Sequence, residues 1–168
     1  IPEEIINELL DMSVWAPSGM NQQPWVFSVI QDRSYLEELS KESKKILLDR
    51  IDEIPVLRRY ARIMSNPKYD IFYHAPTLLL IYGDARVPTY FQDCSLAAQN
   101  LMLLAWEKGL GSCWIGFAHF ACDTPEVKDK LAVPENYELV ASIVLGFPDS
   151  VSAKAGKRKA PQIISWLK

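Results

Sequence analysis

Three short stretches carry residue types and spacings able to do chemistry. The first is Ala16-Pro17-Ser18-Gly19-Met20-Asn21-Gln22-Gln23-Pro24-Trp25. Two prolines and a glycine shape its backbone, and between them stand short amide and hydroxyl side chains. Such a loop offers many hydrogen-bond groups to a flat ligand with polar edges. The second is Trp114-Ile115-Gly116, where a glycine among apolar residues lets backbone approach a planar ligand closely. The third is Lys157-Arg158-Lys159, a compact cationic group that suits a phosphate. If that stretch is extended, Lys157 and Lys159 face one side and Arg158 the other. Each has a plainer reading: a turn between helix and strand, a core strand, and a solvated surface run.

Other chemistry finds little support. The chain has no G-x-S-x-G, no H-E-x-x-H and no P-loop. His74 and His119 read as structural histidines. Asp93 reads as an acid at the front of a long helix, favoured by the helix dipole. Gly109-Leu110-Gly111 follows a helix and lacks the third glycine of a dinucleotide fingerprint, so it reads as a helix stop and turn. Cys94, Cys113 and Cys122 are odd in number and lack zinc-ligand spacing, so three reduced thiols and no metal are expected. A net charge of -3 gives no global basic field for nucleic acid. No apolar run approaches the roughly 20 residues that span a bilayer, so no membrane partner is expected.

The elements that must position these stretches follow from pattern. The 168 residues suit a single domain, 1–168, with a real hydrophobic core. Ile5, Ile6, Leu9, Leu10 and Val14 recur at helical spacing, and Pro17 ends that helix. Residues 25–30 read as a short strand. Residues 33–51 read as a surface helix, and 52–70 as part helix and part mobile cover. Residues 77–82 form an apolar run typical of a strand buried on both faces. Residues 90–108 are helical and apolar nearly all round, which implies burial on several sides, and a second subunit would supply one of them. Gly109 is its expected C-cap. Residues 112–116 read as a short strand or loop, Thr124-Pro125 as a helix start, and 137–145 as a last strand. The tail 150–162 is polar and basic, with Lys154 besides the triplet. Several connections are too short for helical crossovers, so the expected class is α+β.

Together these pieces resemble the nitroreductase family of FMN-dependent oxidoreductases, almost from end to end. Residues 16–25 resemble its loop after an early helix, and His74-Ala75-Pro76 its segment before the buried strand. Asp93 to Asn100 with Gly109 to Gly116 resembles its dimer-interface helix and the strand that follows. Gly146-Phe147-Pro148, the basic cluster and Pro161 resemble its C-terminal end. The resemblance implies a homodimer with a central, mostly antiparallel sheet packed by helices, the long apolar helix at the interface, and two FMN molecules there. Pro17, Ser18, Gly19 and Asn21 would contact the flavin. Trp114, Ile115 and Gly116 would supply backbone near its ring. Lys157 and Lys159, or Arg158, would hold its phosphate. NAD(P)H would be co-substrate and a nitroaromatic or quinone the small-molecule acceptor, in a ping-pong reaction in the cytoplasm, with no side chain assigned as catalytic. Alternatives are a specialised flavin reaction, such as fragmentation or dehalogenation, or a flavin-binding protein without turnover. Family members usually open with an Arg-Arg-Ser-x-Arg-like segment that grips the phosphate. Nothing here matches it, and it is expected to precede Ile1.

Overall fold

In the computed structural model, residues 1–150 and 156–168 are described; Lys154 lies outside them. The elements are α1 (Glu3–Ser13), β1 (Trp25–Ile30), α2 (Arg33–Asp49), α3 (Ala61–Met64), β2 (Thr77–Asp84), α4 (Tyr90–Glu107), β3 (Gly111–Trp114), α5 (His119–Cys122), α6 (Pro125–Lys130) and β4 (Tyr137–Gly146). The four strands form one antiparallel sheet in the order β1-β2-β4-β3. This is the α+β class expected, with β1 and β3 as its two edges.

β2 shows why the sheet is covered twice. Every residue of it is buried. Successive side chains of a strand point to opposite faces. Leu78, Leu80 and Tyr82 join Leu36, Leu39 and Leu47 of α2 on one face. Leu79 and Ile81 join Leu9 of α1 and Ala97, Leu101 and Ala105 of α4 on the other. β4 follows the same alternation until a bulge opposite Ile81 and Tyr82, where Val140 and Ala141 both face the α1/α4 core. Among the described residues no helix is long and apolar enough to cross a membrane.

Local signals end the helices where the residues demand. Gly109 has φ 75°, and its N–H donates to Trp106 O while Leu110 N donates to Ala105 O. That pair of bonds is a Schellman motif, which needs a left-handed residue after the helix. α6 ends in the same way. Ala132 N donates to Asp129 O and Val133 N to Lys128 O, yet the left-handed position, φ 54°, is an alanine. Ala132→Gly is therefore expected to stabilise the fold by about 0.5–1 kcal/mol, read from denaturant midpoints at constant m. At its start, α6 has Thr124 accepting from Val127 N, with Pro125 at the first position, as expected.

α2 is less of a surface helix than its charge suggests. Ser40, Ser43 and Lys44 are buried with its apolar face. The Lys44 ammonium donates to Asn66 O at 3.1 Å and to Tyr69 O at 2.6 Å, fixing the end of the cover segment. That segment forms a 3₁₀ turn, Pro55–Tyr60, followed by α3.

Candidate functional site

The loop after α1 is held in a conformation its residues do not prefer. Met20, Asn21 and Gln23 have φ of 51°, 56° and 48°. Left-handed backbone costs residues such as Met20 and Gln23 roughly 1–2 kcal/mol, while Asn21 adopts it readily, and such strain gathers at functional sites. Internal bonds maintain it: Gln23 N donates to Ser18 Oγ at 3.0 Å, and Gln23 Nε2 to Asn21 Oδ1 at 3.1 Å. Pro24 O accepts from Asp84 N at the end of β2.

An outside anchor completes the turn. Gly19 N donates to Asp93 Oδ1 at 3.1 Å, and Thr89 Oγ1 donates to Asp93 Oδ2 at 2.8 Å. Asp93 is buried. It was expected only as an acid favoured by the dipole of α4; the structure makes it the anchor of the loop. The signal was an acid inside a nearly apolar helix. Its partner, 74 residues away, carries no mark of the pairing. Gly19 is required sterically, since a Cβ there would stand 2.5 Å from Thr89 Oγ1.

Beside the loop, the Asp84 carboxylate accepts from Arg86 Nη2 at 2.7 Å and Asn136 Nδ2 at 2.8 Å. The Arg86 hydrogen bonds hold it well below the usual carboxylate range. Tyr90 Oη donates to Glu138 at 2.6 Å, which raises the phenol pKa.

The second stretch lies on the other edge of the sheet. Ile115 is buried; its N–H donates to Ser142 O at 2.8 Å, and its carbonyl accepts from Ser142 Oγ at 2.6 Å. Antiparallel alternation then turns the N–H group of Trp114 away from β4, and Gly116 begins a 3₁₀ turn, Gly116–Ala118, beyond the strand. Both residues are exposed, and no atom lies within 4 Å of where a Cβ on Gly116 would be. Phe117 packs edge-on against Tyr60 of the cover segment, centroids 5.1 Å apart at 75°.

Lys157, Arg158 and Lys159 are exposed, and Arg158 Nη1 donates to Gly156 O at 2.8 Å. No described bond joins them to either other stretch. Ser18, Gly19 and Asn21 thus share one turn, and Trp114, Ile115 and Gly116 one edge, but one chain does not bring the two together. Trp25 pairs with Gly83, whereas Trp114 pairs with Ile143, which pairs with Leu79. At about 4.8 Å between strands and 3.3 Å per residue, the two starting points are roughly 20 Å apart.

Elsewhere there is little reactive chemistry. His74 Nδ1 lies 3.3 Å from Asp70 and His119 Nε2 3.5 Å from Asp123, both on the surface. Cys94 and Cys122 are buried, and burial pushes both thiols up to about 12. Cys113 is exposed. No group of three metal-ligating side chains occurs among the described residues.

Comparisons with known proteins agree with this layout. The Nitroreductase family matches residues 1–147. A protein of Methanothermobacter thermautotrophicus, provisionally named NADH dehydrogenase/NAD(P)H nitroreductase, is 28% identical over 152 residues, 88% of this chain and 68% of that one. The iodotyrosine deiodinase of Thermotoga neapolitana is 27% identical over 146 residues, 83% of this chain and 74% of that one. A crystal structure of a nitroreductase with bound FMN from Bacteroides fragilis superposes with a TM-score of 0.83 at 30% identity, covering 97% of this chain and 87% of that one. The chain belongs to the nitroreductase family and has its fold.

Proposed function

We propose that this protein is an FMN-dependent NAD(P)H oxidoreductase acting as a homodimer on nitroaromatic or quinone acceptors. The observation that carries the reading is Gly116: exposed backbone at the start of a 3₁₀ turn just beyond the edge strand β3, with open space where any other residue would put a side chain. A planar ring fits such a surface. The polar, strained loop 18–23 and the cationic triplet suit the ring's polar edge and the phosphate in turn. When bound, FMN supplies two-electron chemistry that no side chain here provides. The chain's part is to hold and orient. Pro17, Ser18, Gly19 and Asn21 would line the ring's polar edge. Trp114, Ile115 and Gly116 would give it a backbone wall, and Lys157, Arg158 and Lys159 would take the phosphate.

The position of the two stretches at opposite edges of the sheet argues for a second copy, since the roughly 20 Å between Trp25 and Trp114 exceeds the reach of one three-ring system. α4 offers a surface for it. Its exposed residues Gln92, Leu96, Gln99, Leu103 and Trp106 recur at spacings of four and three. That is the seam spacing of paired helices. In the pair, the loop of one chain faces the Trp114–Gly116 edge of the other.

Replacing Lys157 and Lys159 by glutamate is expected to expel FMN while the dimer survives, because each charge-assisted bond to phosphate contributes about 1.5–3 kcal/mol. Loss of the dimer with normal flavin affinity would make the tail structural instead. Donor and acceptor use one exposed ring face in turn. Initial rates with NADPH and a quinone should therefore give parallel double-reciprocal lines. Intersecting lines would contradict a shared face.

A further inference from the structure

The cover segment carries a charge imbalance that its own contacts do not explain. Its three carboxylates are engaged: Glu53 with Arg50 at 2.9 Å, Asp52 with Arg58 at 2.9 Å, and Asp70 with the amides of Phe72 and His74 at 3.0 and 2.8 Å. Arg59 and Arg62 are exposed, and neither enters an ion pair among the described residues. They stand three residues apart across the junction of the 3₁₀ turn and α3, where side chains at that spacing are neighbours. Two cationic side chains at neighbouring positions make a locally positive surface that an oxyanion neutralises.

The position of Arg59 is set by an aromatic contact. The Arg59 guanidinium lies 4.8 Å over the Tyr60 ring. Tyr60 in turn meets Phe117 edge-on at 5.1 Å. Phe117 follows Gly116, the open point of the proposed ring wall. Stacking fixes the plane of a guanidinium and leaves its edge donors free for bidentate contact with an oxyanion. Lys44 secures the far end of the segment through Asn66 and Tyr69.

We propose that Arg59 and Arg62 form an oxyanion subsite at the rim of the flavin face, which selects acceptors bearing a carboxylate. The inference rests on the function proposed above. A phosphate of the nicotinamide nucleotide also accepts two parallel guanidinium hydrogen bonds, so the test separates the two sources. The holoenzyme is assayed with 4-nitrobenzoate and with its neutral amide, and with NADH and NADPH as donors. The Arg59→Ala/Arg62→Ala variant should raise KM for 4-nitrobenzoate about tenfold or more, while KM for the amide, KM for both nucleotides and kcat stay within about twofold. Arg59→Lys should recover part of the loss, because a point charge replaces the fork. Arg58→Ala, which removes a guanidinium already paired with Asp52, should leave all constants near wild type.

Equal changes for carboxylate and amide, or no change for either, would overturn the subsite. A rise confined to the nucleotides would assign the oxyanion to their phosphates and overturn the acceptor reading. Wild-type turnover without any of these discriminations sinks this inference alone. Wild-type protein that holds no reducible flavin sinks the function proposed above, and this inference with it.

Discussion

Leu103→Glu combined with Trp106→Glu is expected to dissociate the proposed dimer and release its FMN in one step. Both side chains are exposed in the single chain, at 60% and 65%. They sit three residues apart on α4, on a stripe completed by Leu96. Burying a side chain of this size contributes about 1.5–3 kcal/mol, and a symmetric interface counts each residue twice. Two carboxylates per chain in that seam would meet their own copies, adding repulsion to the lost burial. The flavin should leave because, in the proposed dimer, each site would draw its loop from one chain and its Trp114–Gly116 wall from the other. Losing one wall removes two or three hydrogen bonds of about 1 kcal/mol each, so FMN affinity should fall about 100-fold. Analytical ultracentrifugation and flavin titration on the same sample read both effects. A monomer that binds FMN as the wild type does would place the whole site within one chain. A variant that stays dimeric would move the interface off α4.

The second large effect is expected at Gly19. The introduced methyl of Gly19→Ala would stand 2.5 Å from Thr89 Oγ1 and 3.2 Å from Thr89 Cβ and Cγ2. Thr89 cannot simply turn aside, because its hydroxyl is bonded to the buried Asp93. The loop must move instead, carrying Ser18 and Asn21 with it. Overpacking of this kind costs about 1–3 kcal/mol, so FMN affinity should drop about 5- to 150-fold. Thr89→Ala in the same chain removes two of the three clashing atoms and should recover part of the affinity. Asp93→Ala should mimic the loss by another route, leaving Gly19 N–H and the Thr89 hydroxyl without their acceptor. Asp93 acts through the loop, so each of these changes should weaken FMN binding more than the KM for the acceptor. Unchanged flavin affinity in Gly19→Ala would remove the loop from the site.

What could be read from the chain, and what could not, divides by distance along it. The apolar run of β2, the stop at Gly109 and the start at Thr124-Pro125 obey local rules, and they stand where those rules put them. The bulge in β4 and the order of the strands depend on pairing between distant residues, which no local pattern states. The buried side of α2 was hidden because Ser40, Ser43 and Lys44 are polar, and Ser40 and Lys44 find their partners, Ile71 N and the Asn66 and Tyr69 carbonyls, only in the folded chain. For the candidate site, residue types marked out the loop, the glycine edge and the basic triplet. Their arrangement was not legible. Met20 has no intrinsic preference for φ 51°, and Asp93 gives no hint that it holds Gly19. The charge surplus at Arg59 and Arg62 emerges only once Asp52 and Glu53 are seen to be engaged.

The central claim is that this scaffold holds FMN and passes electrons from a nicotinamide nucleotide through it. The most direct test follows flavin absorbance during titration of the purified protein with FMN, then after anaerobic addition of NADPH or NADH. The account predicts stoichiometric uptake and loss of the oxidised-flavin bands on adding nucleotide, with recovery when a quinone or nitroaromatic follows. Protein that takes up no FMN, or bound flavin that neither nucleotide reduces, would contradict it.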